Sequence, residues 1–203
     1  HDSVLRSHRW RNAENSCAYL LPHLRTDQTL LDVGCGPGTI TEDLGSRVAE
    51  VVGIDPSADV VAQARRDHPG VAFEAGDLFT LEGRWDVVHA HQVLQHLDDA
   101  VGALRAMAGL ARELVAVRDS DYPAFVWTPE SPGLERWREV YLAVTRRNGA
   151  NADAGRRLLG WARAAGLTDT TYTTSTWTYA TPRERAWWAD LWAERCTASA
   201  FAE

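Results

Sequence analysis

At 203 residues, with 45% hydrophobic and 24% charged side chains, the chain has ordinary globular composition and enough length for one α/β domain with a substantial core, which argues against a largely disordered protein. A formal net charge of −7, with the basic residues spread along the chain, would repel a phosphate backbone on average, so no nucleic-acid partner is expected. No apolar run reaches the roughly 18 residues that cross a bilayer, and the N-terminus lacks a basic-then-apolar signal pattern, so the expectation is a soluble, cytoplasmic protein without membrane contact.

In chain order, Ala13 to Leu24 reads as an amphipathic helix, placed as a lid over the ligand end of a sheet. Five runs rich in β-branched residues follow as strands: Thr29 to Val33, Glu50 to Ile54, Val71 to Ala75, Asp86 to Ala90 and Glu113 to Val117. Helical spacing near Thr39 to Val48, Ser57 to Asp67 and Asp98 to Arg112 separates them. Each intervening stretch is too long for a hairpin, which makes the sheet parallel. Pro123, Pro129, Pro132 and Gly133 punctuate a loop. Leu134 to Arg147 and Asp153 to Ala165 then read as helices, with Asp153 as N-cap and Gly166 just past the end. Thr168 to Tyr179 is a Thr-rich strand by propensity, and Pro182 to about Cys196 a Trp-rich helix. The expected organisation is one domain: 1–28 as lid, 29–118 as cofactor-binding core, and 119–203 as helical cap and remainder of the core. Cys17, Cys35 and Cys196 form no C-x-x-C pair and suggest neither a disulfide framework nor a metal site. Every basic side chain is Arg, which excludes a Lys-based phosphate loop, Schiff base or lysine nucleophile.

Three elements carry chemistry. Leu30-Leu31-Asp32-Val33-Gly34-Cys35-Gly36-Pro37-Gly38-Thr39 runs from strand into helix with alternating glycines, which let the backbone turn sharply and touch a ligand. The following helix N-terminus suits an anionic group such as an amino-acid carboxylate. A tight turn with no ligand is the alternative for such a cluster alone. Val51-Val52-Gly53-Ile54-Asp55 sets a carboxylate at the end of the second strand, about 20 residues past the first glycine, where it can accept from both hydroxyls of a ribose. Gly76-Asp77-Leu78 closes the third strand with another carboxylate at the same edge, suited to an exocyclic amine such as adenine's. Thr39 stands where the strict dinucleotide pattern requires glycine.

Together with the phrase from Trp85 to Asp99, these motifs resemble the class I S-adenosylmethionine-dependent methyltransferases. More narrowly, they resemble the ubiquinone and menaquinone biosynthesis methyltransferases and actinobacterial small-molecule methyltransferases. The resemblance covers roughly residues 10 to 180. It implies a Rossmann-like α/β fold with a mostly parallel sheet, helices on both faces and a helical cap. The implied cofactor is S-adenosylmethionine, with S-adenosylhomocysteine as product. By the same resemblance, Asp32 and the backbone of Gly34, Cys35 and Gly36 hold the methionine moiety, Asp55 beside Pro56 the ribose, and Gly76, Asp77 and Leu78 the adenine. His91 and Gln92 would line the cofactor. By charge and position alone, Arg9 and Arg11 ahead of the lid helix are expected to neutralise its carboxylate. The usual Pro-Gly-Gly turn before the fifth strand is absent. The sequence also stops at Glu203 before the final antiparallel strand that family members add.

Methyl transfer from a sulfonium asks mainly for alignment and exclusion of water, and a base is needed only when the acceptor must lose a proton. His91, at the ligand edge, is the first candidate base, followed by His96, which otherwise caps or packs its helix. His89 is expected under a helix. Asp119, the third catalytic candidate, with Asp121 and Tyr122 follows the fifth strand; these three either orient a substrate or position a proton acceptor, or are ordinary loop residues. Trp127, Trp137, Trp161, Trp177, Trp187, Trp188 and Trp192 either line an aromatic acceptor pocket or pack cap helices onto the sheet. Asn148, Asn151 and Arg156 are weaker acceptor contacts. The expected function is methylation at O, N or C of a small-molecule acceptor by a monomer or homodimer. A nicotinamide oxidoreductase and a non-catalytic nucleoside-binding protein are the alternatives.

Overall fold

A computed structural model describes residues 2–198. The β-branched runs pair as β1 (Thr29–Val33), β2 (Glu50–Asp55), β3 (Ala72–Ala75), β4 (Trp85–His91) and β5 (Ala111–Arg118) in one sheet. The order is β3-β2-β1-β4-β5, and every pair is parallel. Helices α3 (Thr39–Gly45), α4 (Ala58–Asp67) and α5 (Ala100–Leu110) make the crossovers. Because β2 and β4 lie on either side of β1, the chain reverses its direction of travel there, and a crevice opens at the carboxyl ends of β1 and β4.

Side chains on the strands alternate between two faces. Leu31, Val33 and Val88 bury against Leu104 and Met107 of α5 and Leu158 of α7 (Ala154–Ala164). Leu30, Val87 and Ala116 point the other way, onto Leu44 of α3 and onto Ala13, Cys17 and Leu20. Phe73, Val61 and Ala64 form a third group beneath α4. Each fully buried Leu or Val contributes about 1.5–3 kcal/mol, so both faces must be covered for the sheet to persist. Ser57 accepts from Val60 N at 3.4 Å and Asp99 from Gly102 N at 2.7 Å, fixing where α4 and α5 begin at the edge where the site forms.

Helix α5 runs into β5 with no intervening residue, which accounts for the missing Pro-Gly-Gly turn. Near this junction Trp85 lies opposite Ala111 whereas Val87 lies opposite Leu114, so β5 carries one extra residue there.

Two expectations fail. Ala13 to Leu24 is not one lid helix: α2 (Ala13–Ser16) is a single turn, followed by a 3₁₀ turn at Leu21–His23. Its apolar residues Ala13, Cys17 and Leu20 are buried against the sheet. The segment beside the glycine loop is instead α1 (Asp2–Arg9), whose His8 carbonyl accepts from Thr39 Oγ1 at 3.2 Å. Thr168 to Tyr179 forms no strand. Threonine propensity does not supply a neighbouring strand, and side chains anchor this stretch: Trp177 Nε1 donates to Asn15 O at 2.6 Å, and Ser175 Oγ accepts from Arg118 Nε at 3.2 Å. Beyond β5, α6 (Pro132–Arg147), α7 and α8 (Pro182–Ala198) form as expected. Residue 1 and residues 199–203, the ends of the expected domain, lie outside the described residues.

Candidate cofactor and active site

The glycine loop is held at the mouth of the crevice by its neighbours. Cys35 N donates to Ile54 O at 2.9 Å, and Gly36 N donates to Asp55 Oδ2 at 3.3 Å. Asp55 Oδ1 accepts from Ser57 N at 3.0 Å, which fixes the carboxylate beside the loop. On the next strand Gly76 N donates to Asp55 O at 3.1 Å, bringing the end of β3 to the same edge. Gly34 has φ +68°, and a Cβ there would fall 2.5 Å from Val93 Cγ2. A side chain at Gly36 would meet the His8 ring at 3.6 Å. The loop is therefore narrow and lined by backbone, as a flat nucleoside cofactor requires.

Asp77 is exposed and its Oδ1 accepts from Phe79 N at 3.0 Å, so it caps its own turn. Leu78 is buried in the main core, leaving only its backbone for a ligand. Pro56 is exposed beside Asp55. Cys35 packs under α4, and burial, aided by Asp32 and Asp55, pushes its thiol well above the usual range, so it is unreactive near neutrality.

Asp32 is held by contacts within the chain. Its Oδ2 accepts from Thr41 Oγ1 at 2.6 Å and its Oδ1 lies 2.7 Å from His89 Nδ1, while His89 Nε2 is 3.4 Å from Cys17 Sγ. Asp32, His89 and Cys17 are all buried. Burial opposes charge on His89, but Cys17 and Asp32 on either side outweigh it and raise the imidazole above its ordinary range. Asp32 thereby ties β1 to α3 and β4, and His89 is buried between Asp32 and Cys17.

Residues 30–113 match a family described as a methyltransferase domain. An uncharacterized methyltransferase of Schizosaccharomyces pombe is 30% identical over 215 aligned residues, covering 95% of this chain and 76% of that protein. The chain belongs to the S-adenosylmethionine-dependent methyltransferases. A ubiquinone biosynthesis O-methyltransferase of Azorhizobium caulinodans is 39% identical over 87 residues, 39% of this chain and 34% of that enzyme, so the chain spans about a third of its length. The YcgJ protein of Bacillus subtilis shares the fold, with TM-score 0.63 at 17% identity over 91% of this chain and 82% of that one.

On the face of the methyltransferase sheet that carries His89, His91 and Arg118 end β4 and β5 side by side. His91 is 7% exposed and neither ring nitrogen has a hydrogen-bond partner. Burial, together with Arg11, Arg118, His89 and His8, holds it well below the usual histidine range, so it is neutral. Arg9 pairs with Asp67 at 3.3 Å and is thereby taken, whereas Arg11 Nε is buried and unpartnered. Burial lowers Arg11 to about 10. His96 sits on a 3₁₀ turn with Nε2 3.1 Å from Gln95 Nε2, and burial lowers its pKa. Asp119 Oδ1 accepts from Gln95 N at 3.3 Å, but Oδ2 is buried without a partner. Burial pushes its carboxyl up to about 7, against the opposing pull of those amides and of Arg118 and Arg11. Gln92 adopts φ +56°, held by its N–H to Arg118 O at 2.7 Å and its Nε2 to Ser120 Oγ at 2.5 Å.

Other candidates are occupied. Arg156 Nε reaches Asp121 at 2.9 Å, Asn151 N donates to Gln95 O at 2.7 Å, and Asn148 is an exposed helix cap. Trp137, Trp188 and Trp192 pack edge-to-face or tilted among themselves, with Tyr122 and Tyr141 joining them, so this group holds the cap together. Trp127 lies under Arg138, and Trp161 packs against the main core. Trp177 differs, lying 6.0 Å from the His91 ring and 5.3 Å from Trp10, which also meets Trp187. Sequence reasoning missed His8, Thr41 and Arg118, because each acquires its place only through tertiary contact. The one available signal was Arg118 directly after a predicted strand end.

Proposed function

We propose that this chain transfers a methyl group from S-adenosylmethionine to an O, N or C atom of a small-molecule acceptor that gives up its proton at Asp119. The reading is supported above all by the bond between Asp55 and Gly36 N, with Gly76 closing the same edge, which gathers the loop, the ribose-type carboxylate and the third strand at one crevice. The orphaned Arg11 Nε beside it fits a carboxylate on that cofactor. When bound, the cofactor supplies a methyl group already activated on sulfur. The protein's own residues then have three tasks. Asp55 and the loop amides orient the nucleoside end, and α1 with the Trp10–Trp177 pair limits water. Neutral His91, both nitrogens unpartnered, can hydrogen-bond the acceptor. Asp119 Oδ2 takes the proton, and a carboxyl near 7 is matched to that task at neutral pH.

Isothermal titration with S-adenosylmethionine and with S-adenosylhomocysteine tests the foundation: saturable micromolar binding is expected, and absence of binding by both in a folded protein removes it. Binding of both, with no methyl transfer to any acceptor, would favour a nucleoside-binding protein without catalysis.

A further inference from the structure

The indole of Trp177 lies against two guanidinium groups. The Arg118 carbon is 4.5 Å from the ring centroid and the Arg11 carbon 5.6 Å, with the His91 ring 6.0 Å away. Among the described residues no carboxylate lies within ion-pair distance of either arginine. Arg118 uses Nε on Ser175 Oγ and Arg11 Nε has no partner, so the outer nitrogens of both forks carry no assigned acceptor. Asp119, next in the chain, does not fill the role: one oxygen accepts from Gln95 N, and neither comes within ion-pair distance of Arg118 or Arg11. Stacking on an indole falls well short of a counter-charge for two half-buried cations.

A bound sulfonium donor aggravates the imbalance, because it brings two positive charges, sulfonium and ammonium, against one carboxylate. If Arg11 faces that carboxylate, Arg118 still has no carboxylate at ion-pair distance among the described residues. His91, more than nine-tenths buried with both nitrogens free, lies on the neighbouring strand directly opposite Arg118 in register. The residues around this indole therefore form a site with an unfilled negative position and a flat apolar wall.

We propose that the methyl acceptor is an anion, a small carboxylic acid with a planar apolar body that also carries an O–H, N–H or C–H group: its carboxylate is gripped by Arg118, its body lies against Trp177, and the methyl passes from sulfur to that O, N or C atom as the proton goes to Asp119. The proposal rests on the methyltransferase reading only for the role of that anion, because the site itself belongs to this chain's own residues.

The test is calorimetric and uses the whole chain saturated with S-adenosylhomocysteine, with benzoate as probe, benzamide as its neutral counterpart and inorganic phosphate as the alternative anion. The expected result is saturable benzoate binding at least tenfold tighter than benzamide and tighter than phosphate. Equal binding of benzoate and benzamide, or binding of neither, overturns the proposal without any variant being needed. Tighter binding of phosphate overturns the carboxylic acid as acceptor. Arg118→Gln should weaken benzoate at least tenfold and leave S-adenosylhomocysteine within twofold. An equal loss for both would assign Arg118 to the cofactor and sink the idea. If benzoate binds the free chain while S-adenosylhomocysteine does not bind at all, the anion site stands and the methyltransferase reading falls.

Discussion

Replacing Asp119 by Asn retains an oxygen that can accept from Gln95 N and removes only the ionisation. In the native chain burial lifts this carboxyl from 3.8 to about 7. Between those values the folded protein holds a proton that the unfolded chain has lost, so stability falls as pH rises through that window. At 1.36 kcal/mol per pH unit, the full gap sets an upper limit of about 4 kcal/mol, of which about 2–3 kcal/mol lies above pH 5. Asp119→Asn cannot pay that penalty and should gain about 2–3 kcal/mol on the parent between pH 5 and pH 8 in ligand-free urea denaturation. At roughly 2–4 °C per kcal/mol for a chain of this size, the melting temperature at pH 8 should rise by several degrees relative to the parent. The same variant should lose methyl transfer, while the parent's rate should climb with pH around a midpoint near 7. A stability difference between variant and parent that is the same at pH 5 and pH 8 would show that the carboxyl does not titrate in this window, and its assignment as proton acceptor would go with it.

Asp55→Ala should weaken S-adenosylhomocysteine by about 1.5–3 kcal/mol, the range for hydrogen bonds to a charged group, as read by titration; an unchanged affinity in a folded variant contradicts its place at the ribose. Gly34→Ala should destabilise by about 1–3 kcal/mol, because the new methyl meets Val93 and an alanine is held at φ +68°. Adding Val93→Ala should recover only the packing share, and full recovery in thermal melts would mean that the backbone angle costs nothing. His91→Ala should lower turnover at least tenfold while leaving cofactor affinity within about threefold; equal losses in both would give the ring a purely structural role.

The five strands were legible because each is a short β-branched run in which alternate residues serve opposite faces, as Leu30 and Leu31 do. The gathering of the candidate site at one edge was legible for a related reason: Gly34 to Gly36, Asp55 and Gly76-Asp77 lie at consecutive strand ends, so spacing along the chain translates into proximity across the sheet. Ala13 to Leu24 misled because Ala13, Cys17 and Leu20 recur at helical intervals, yet what they satisfy is one sheet face reached through two short turns. Thr168 to Tyr179 misled because strand propensity counts only when a partner edge is free to pair. The internal use of Asp32 could not be read at all, since Thr41 and His89 meet it only after α3 and β4 have packed.

The additional residue accommodated where β5 departs from α5 sets the phase of everything above it. A strand's side chains swap sides with each one-residue slip, so drawing that residue into regular pairing would turn Ala116 and Arg118 away from His89 and His91 and bring Val115 and Val117 round in their stead. The irregularity sits at the foot of the sheet, at the opposite end of the strand from the crevice. It nevertheless decides that the Arg118 guanidinium stands beside His91, so loss of the irregularity at the helix-to-strand joint would displace that pair and spare the glycine loop.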